Sequence, residues 1–147
     1  MTTIFFSWQS DLPNKTNRNL IENSIKLALK KMNQDSPYSL ITEIDRDTKG
    51  VLGSPDIVDS ILTKIDKCSL FIADISIINS SLNGKRTPNP NVLFELGYAV
   101  KCLGWDRVIC VFNSDFGDVS ELPFDLRNRR ILTYETSNIS ETRKKLA

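Results

Sequence analysis

The chain has 147 residues, of which 40% are apolar and 25% are charged, and this balance predicts one globular domain with a single core. Nineteen basic and eighteen acidic residues give a formal net charge of +1, without a long basic run, so direct nucleic-acid binding is not indicated. The apolar stretches are far shorter than the roughly 20 residues that cross a bilayer, so we expect a cytoplasmic protein without a membrane partner.

Short β-branched and aromatic runs alternate with helical patterns, which predicts an α/β fold with helices on both faces of a parallel sheet. We expect a strand over residues 3–8, a helix over 17–32 and a second strand over 39–45. The apolar face of that first helix is predicted to be Ile21, Ile25, Ala28, Leu29 and Met32. Ser54-Pro55-Asp56 then supplies an N-cap, a first-turn proline and an acid for the next helix. The buried stripe of that second helix is predicted to be Ile57, Val58, Ile61, Leu62 and Ile65.

The third strand, over residues 69–75, is apolar except near its end, which predicts that Asp74 lies at the carboxyl edge of the sheet. A polar loop over 79–89 leads to the third helix, whose core face is predicted to be Val92, Leu96, Ala99 and Leu103. The adjacent stripe of that helix contains Asn91, Glu95, Tyr98 and Cys102. Strands are expected over 107–113 and 130–135, with at most a short helical turn near 122–125 between them.

The last helix, over residues 140–147, has only about two turns, too few for a helix to be stable or well docked by itself. We therefore expect that residues 1–147 form a single domain and that this domain is the N-terminal part of a longer protein. Five parallel strands with right-handed crossovers predict a flavodoxin-like three-layer sandwich of strand order 2-1-3-4-5. Its ligand crevice would open where the first and third strands end.

Glu95 is the predicted catalytic residue, because it is one carboxylate in an otherwise apolar helix that points to this crevice. Such a carboxylate can act as a nucleophile or stabilise an oxocarbenium ion while a ribosyl C–N bond breaks. The alternative is a structural carboxylate that pairs with an arginine or caps a backbone. Asn91, one turn earlier, is suited to a ribose hydroxyl or, alternatively, to the free N–H groups of the helix start.

The end of the first strand offers an aromatic face and hydrogen-bonding groups for a base and a ribose, although a capped turn with Trp8 packing is the alternative. Arg46 and Asp47 would meet a pyrophosphate and a hydroxyl, unless they form a surface ion pair. The complete set of predicted substrate-binding residues is Ser7, Trp8, Gln9, Asp11, Arg46, Asp47, Asp74, Asn91 and Tyr98.

The chain contains no histidine, which excludes Ser-His and Cys-His nucleophile pairs and imidazole metal ligands. Acid–base chemistry must then come from carboxylates, and no carboxylate spacing suggests a metal site. We therefore expect neither a metal nor a cofactor. Cys68, Cys102 and Cys110 lie in or beside apolar runs and include no C-x-x-C pair, which predicts reduced, buried thiols.

Three segments resemble those of bacterial TIR-like domains, a family related to nucleoside 2-deoxyribosyltransferases: Phe5-Phe6-Ser7-Trp8, Phe71-Ile72-Ala73-Asp74 and Asn89-Pro90-Asn91-Val92-Leu93-Phe94-Glu95-Leu96-Gly97-Tyr98-Ala99. The resemblance spans nearly the whole chain. It implies a nucleotide-binding, flavodoxin-like domain in which Glu95 cleaves the nicotinamide–ribose bond of NAD. The products would be nicotinamide and ADP-ribose or a cyclic isomer, so NAD would be a substrate of this hydrolase rather than its cofactor.

The resemblance further implies an effector of antiphage defence that self-associates and is coupled to a sensor domain in the same chain or in a partner. Two alternatives stay open. One is nucleoside 2-deoxyribosyl transfer with Glu95 as the covalent nucleophile. The other is a non-catalytic TIR-like interaction or nucleotide-binding signalling module.

Overall fold

Five strands form one parallel sheet in the computed structural model, which describes residues 2–35, 42–45 and 57–147. The strand order is β2-β1-β3-β4-β5, and each neighbouring pair is parallel. This is the α/β architecture and the strand order expected from the sequence. The strands are β1 (Thr2–Ser7), β2 (Thr42–Asp45), β3 (Leu70–Asp74), β4 (Val108–Asn113) and β5 (Ile131–Tyr134).

Helices cover both faces of the sheet and make a three-layer sandwich. On one face, α1 (Arg18–Asp35) packs beside α5 (Ile139–Leu146), and on the other α2 (Ile57–Lys67) packs beside α3 (Pro90–Leu103). The single turn α4 (Phe124–Arg127) and a 3-10 turn (Val119–Glu121) connect β4 to β5.

Side chains alternate between the two faces along each strand, as a period of two requires. Phe5 and Phe71 belong to the core under α2 and α3, whereas Ile4, Phe6 and Ile72 belong to the core under α1 and α5. Because the central strands β1, β3 and β4 are covered on both faces, each contains an apolar run that is followed by a polar residue at its carboxyl end. Those ends form one edge of the sheet.

The α3 helix begins at this edge with a strong start signal. The Asn89 side chain accepts hydrogen bonds from the backbone N–H groups of Asn91 (2.8 Å) and Val92 (3.2 Å), and Pro90 occupies the first helical position. The helix ends at Gly104, whose φ of 78° favours glycine. Val92, Leu96 and Ala99 are buried and Leu103 packs partly against the same core, which confirms the predicted core face.

Four predictions of burial are wrong. Ile57 and Val58 are 53% and 51% exposed, because the first turn of α2 lies at the carboxyl edge, next to a cavity. Met32 is 54% exposed in the last turn of α1, and Cys102 is exposed on α3. Amphipathic spacing gives the direction in which a side chain points but not whether a neighbouring element reaches it.

The α5 helix is docked, contrary to the expectation from its length. Ile139 and Leu146 pack against the core under α1, and the Thr142 hydroxyl donates to the Glu135 carbonyl at 2.7 Å. Tertiary packing supplies the stability that a helix of two turns lacks in isolation. Within residues 2–35, 42–45 and 57–147, no helix is long and apolar enough to cross a membrane.

Candidate functional site

A cavity of about 460 Å³ opens at the carboxyl edge of the sheet, between the end of β1 and the first turns of α2 and α3. Ser7, Trp8 and Gln9 reach it from β1, and Asn91 and Glu95 reach it from α3, so the predicted crevice brings these five residues together. A parallel sheet places such a crevice where its strand order reverses, here between β1 and β3.

The central contact of the cavity joins Ser7 to Glu95. The Ser7 hydroxyl donates to Oε2 of Glu95 across 2.5 Å, over 88 positions of the chain. Ser7 is the last residue of β1 and is 3% exposed, whereas Glu95 is half-buried on α3. A short hydrogen bond to a carboxylate is of the charge-assisted kind, so it holds one carboxylate oxygen in a defined direction at the cavity wall.

Trp8 forms the next part of the wall and is fixed from outside the cavity. The Arg18 guanidinium carbon, at the start of α1, lies 3.6 Å from the centroid of the Trp8 ring. This cation–π contact holds the half-buried indole in place, and Trp8 both packs partly against the core under α1 and lines the cavity.

Asp74 does not line the cavity, although the sequence predicted that it binds substrate. Its side chain is fully buried beneath the edge of the sheet. It accepts hydrogen bonds from Gln9 Nε2 (2.9 Å), Asn17 Nδ2 (3.0 Å), and both the backbone N–H (3.1 Å) and hydroxyl (2.6 Å) of Ser76. The carboxylate therefore faces a closed set of protein donors.

Sequence reasoning missed three buried members of this polar network: Asn17, Ser76 and Asn113. The Asn113 side chain donates to Asn17 Oδ1 at 3.1 Å, and its backbone N–H donates to the Ser76 hydroxyl at 2.8 Å. A signal was available, because polar residues that directly follow buried strands meet at one edge of a parallel sheet. Asn113 ends β4, and Ser76 follows β3 by two residues.

Two other predicted residues lie outside the cavity. Asp11 is exposed, and its carboxylate accepts from Asn89 Nδ2 at 2.7 Å, which ties the β1–α1 loop to the start of α3. The Tyr98 hydroxyl donates to Asp66 at 2.8 Å on the outer side of α2 and α3, and this hydrogen bond raises the pKa of Tyr98. Arg46 and Asp47 lie outside the described residues.

An apolar group at the mouth of the cavity was also missed. Phe94 is 59% exposed and lines the cavity together with Ile57 and Val58. The predicted core face of α3 does not include Phe94, so helical periodicity alone indicates that this side chain points away from the core. Among the residues that the structure describes, no group of Cys, Asp and Glu could hold a metal ion.

Comparison with known proteins supports the fold. No protein-family model and no curated protein matches the chain. Among solved structures, the chain is similar to a 2-desoxiribosyltransferase from Leishmania mexicana, with a TM-score of 0.52 and 15% sequence identity over 90% of each chain. At this identity the likeness shows the fold alone, an α/β layered domain.

Proposed function

We propose that this domain cleaves the N-glycosidic bond between a base and its ribose, with Glu95 as the carboxylate at the anomeric carbon and NAD as the substrate. The products are nicotinamide and ADP-ribose or a cyclic isomer. The observation that carries the proposal is the Ser7–Glu95 hydrogen bond of 2.5 Å in the wall of an open cavity.

The chemistry needs a negative charge close to the anomeric carbon. As the C–N bond breaks, positive charge develops over the ribose carbon and ring oxygen, and a carboxylate stabilises it or attacks it to form a covalent intermediate. The Ser7 hydroxyl holds one Glu95 oxygen, so the carboxylate is oriented before substrate arrives. Water completes hydrolysis by adding to the anomeric carbon, whereas attack by a substrate nitrogen gives the cyclic isomer.

The carboxylate in the cavity wall suits NAD among N-glycosidic substrates. Glu95 lines the cavity and can lie beside a cationic nicotinamide ring. The nicotinamide ring of NAD carries a positive charge, so the bonding electron pair leaves with it as a neutral molecule and no proton donor is required. A neutral purine or pyrimidine leaves more easily when an acid protonates it.

The rest of the cavity offers groups of suitable chemistry for a nucleotide. Trp8 and Phe94 line the cavity with aromatic rings that suit a planar base, and Asn91 and Ser10 line it with groups that can hydrogen-bond ribose hydroxyls. A site that hydrogen-bonds hydroxyls favours ribose over deoxyribose, because the polar groups stay unpaired when a hydroxyl is missing.

Nucleoside 2-deoxyribosyl transfer is the second candidate, and the likeness to the 2-desoxiribosyltransferase favours it. The same carboxylate would then form a covalent deoxyribosyl intermediate that a second base resolves. Exchange of a free base between deoxynucleosides, measured by chromatography, separates this reaction from NAD hydrolysis.

The third candidate is a non-catalytic TIR-like interaction or nucleotide-binding module. The antiphage role, self-association and a sensor partner remain predictions from the TIR-like resemblance. Because self-association is among these predictions, the assay is run both on dilute protein and on protein that is concentrated or forcibly oligomerised. An assembled protein that binds nucleotide without releasing nicotinamide would favour this third candidate.

Release of nicotinamide from NAD tests the main proposal. We expect Glu95→Gln to lower the initial rate by about a thousandfold or more, as removal of a principal catalytic group does. The matched control is Glu135→Gln, which also removes one carboxylate but at an exposed position after β5. Equal activity of wild type and Glu95→Gln would refute the assignment of Glu95.

A further inference from the structure

A buried hydrogen-bond chain connects the end of β3 to the loop that follows β1. We infer that Asp74 and Gln9 are positioning residues: through them the end of β3 holds residues 7–12 in the conformation that places Ser7 against Glu95 and Trp8 in the cavity wall. The effect on catalysis rests on the proposed function, whereas the effect on the loop does not.

The Asp74 carboxylate is a costly group to bury, and four protein donors satisfy it. It is fully buried, and its two oxygens accept from one glutamine amide, one asparagine amide, one hydroxyl and one backbone N–H. A buried carboxylate without such donors would destabilise the fold. The donors arrive from the β1–α1 segment as well as from β3, so the carboxylate joins two separate parts of the chain.

Gln9 converts this anchor into a constraint on the loop. Its side chain is 2% exposed, its Nε2 donates to Asp74 at 2.9 Å, and its Oε1 accepts from the backbone N–H of Leu12 at 2.9 Å. The two neighbours allow one orientation of the amide, because a rotated amide would place its oxygen against the carboxylate and its nitrogen against a backbone donor. The Gln9 side chain therefore links the loop to Asp74 on one side and to the Leu12 backbone on the other, with its amide in a single orientation.

The constrained loop carries the cavity wall. Ser7 ends β1, and Trp8 separates it from Gln9, so the position of Gln9 determines how the chain leaves the strand. Ser7 then reaches Glu95 over 2.5 Å, a contact that a displacement of about one ångström would break. Asp74 itself is fully buried, so its influence on the cavity passes through Gln9.

A double-mutant cycle tests this inference. Gln9→Met keeps the length of the side chain but removes the donor to Asp74 and the acceptor for the Leu12 N–H. Asp74→Leu removes both acceptor oxygens and adds no charge. Because Asp74 is inferred to act on the loop through Gln9, the double variant should be no more perturbed than Asp74→Leu.

Trp8 gives a readout that does not need activity. In a Trp105→Phe background Trp8 is the sole tryptophan, because the chain has two. We expect the native emission maximum to shift to longer wavelength in both single variants, without a further shift in the double variant. Asp118→Leu, the same kind of change in an exposed capping turn outside the cavity, should leave the emission unchanged.

Activity gives the second readout. We expect kcat per folded molecule to fall by roughly ten- to a hundredfold in each single variant, with a smaller change in KM, as loss of a hydrogen bond to a charged group implies. The double variant should lose no more activity than Asp74→Leu. If Asp74→Leu does not fold, the emission and activity of Gln9→Met decide the test, because this variant keeps the other donors of Asp74.

The outcomes separate the two proposals. If the emission of Trp8 is unchanged in every folded variant and only the unfolding midpoint is lower, the inference is overturned. The hydrogen-bond network would then only stabilise the fold. Losses that add up in the double variant would also overturn it. If the wild type releases no nicotinamide at all, the proposed function fails, and the emission of Trp8 still decides whether Asp74 and Gln9 position the loop.

Discussion

Removal of the Ser7 hydroxyl is the most direct perturbation of the candidate site. In Ser7→Ala, Glu95 loses a 2.5 Å hydrogen bond. A hydrogen bond to a charged group contributes about 1.5–3 kcal/mol, and each 1.36 kcal/mol of activation free energy corresponds to about tenfold in rate. The largest expected effect on kcat is therefore about 150-fold.

The exposure of Glu95 narrows this range. Ser7 is buried, but Glu95 is half-buried at the wall of an open cavity, so water can replace part of the lost contact. We therefore expect kcat for nicotinamide release to fall by about ten- to thirtyfold. KM should change little, because the hydroxyl orients the carboxylate and is directed at Glu95 rather than into the cavity.

Initial rates across a range of NAD concentrations provide the assay. The matched control is Thr63→Ala, which removes an exposed hydroxyl that donates to the Asp59 carbonyl within α2 at 2.8 Å. This control should retain the wild-type kcat. A Ser7→Ala protein with kcat within about twofold of wild type, in a preparation where Glu95→Gln is inactive, would refute the orienting role of Ser7.

Three further predictions concern the fold. Burial raises the pKa of Cys110 to about 11, whereas Cys102 is exposed. Iodoacetamide at pH about 8 should therefore label Cys102 before Cys110. Equal labelling rates of the two thiols in the native protein would contradict the burial of Cys110. Phe71 is fully buried and stacked on Phe5. The change Phe71→Ala should lower the free energy of unfolding in urea by about 3–5 kcal/mol, and a decrease below about 1 kcal/mol would contradict the packing. Hydrogen bonds from Ser120 lower the pKa of Asp118. The stability advantage of wild type over Asp118→Asn should thus be present above about pH 4 and disappear as the pH falls through the lowered pKa, whereas a pH-independent difference would contradict the linkage.

The candidate site was predictable to the extent that it follows from strand ends. Ser7 and Glu95 were assigned to one crevice because a parallel sheet of this order brings the end of β1 beside the helix after β3. The same rule placed Asp74 at that edge, but it could not decide whether the Asp74 side chain lines the cavity or is buried beneath the edge. Three partners that reach Asp74, from the β1–α1 segment and from beyond β3, decided that point.

Burial was the second property that local pattern left undecided. Periodicity directed Val92, Leu96 and Ala99 into the core correctly, because α3 lies along the sheet over its whole length. The same spacing placed Ile57 and Val58 on the buried stripe of α2, where the sheet ends and a cavity begins. Helical spacing determines the direction in which a side chain points, and the extent of the neighbouring sheet determines whether that side chain is buried.

The amino-acid sequence by itself determined the class of the fold, the order of its strands, and the presence of one carboxylate near the crevice without any histidine to compete with it. The fold class and the lone carboxylate follow from periodicity and composition, and the strand order follows from the crossover rule for parallel strands. Only the tertiary structure decided that Ser7 holds Glu95, that Asp74 is an internal anchor, and that a helix of two turns is docked. Each of those depends on contacts between residues distant in the chain, and the free energy of such contacts arises only when the layers pack together.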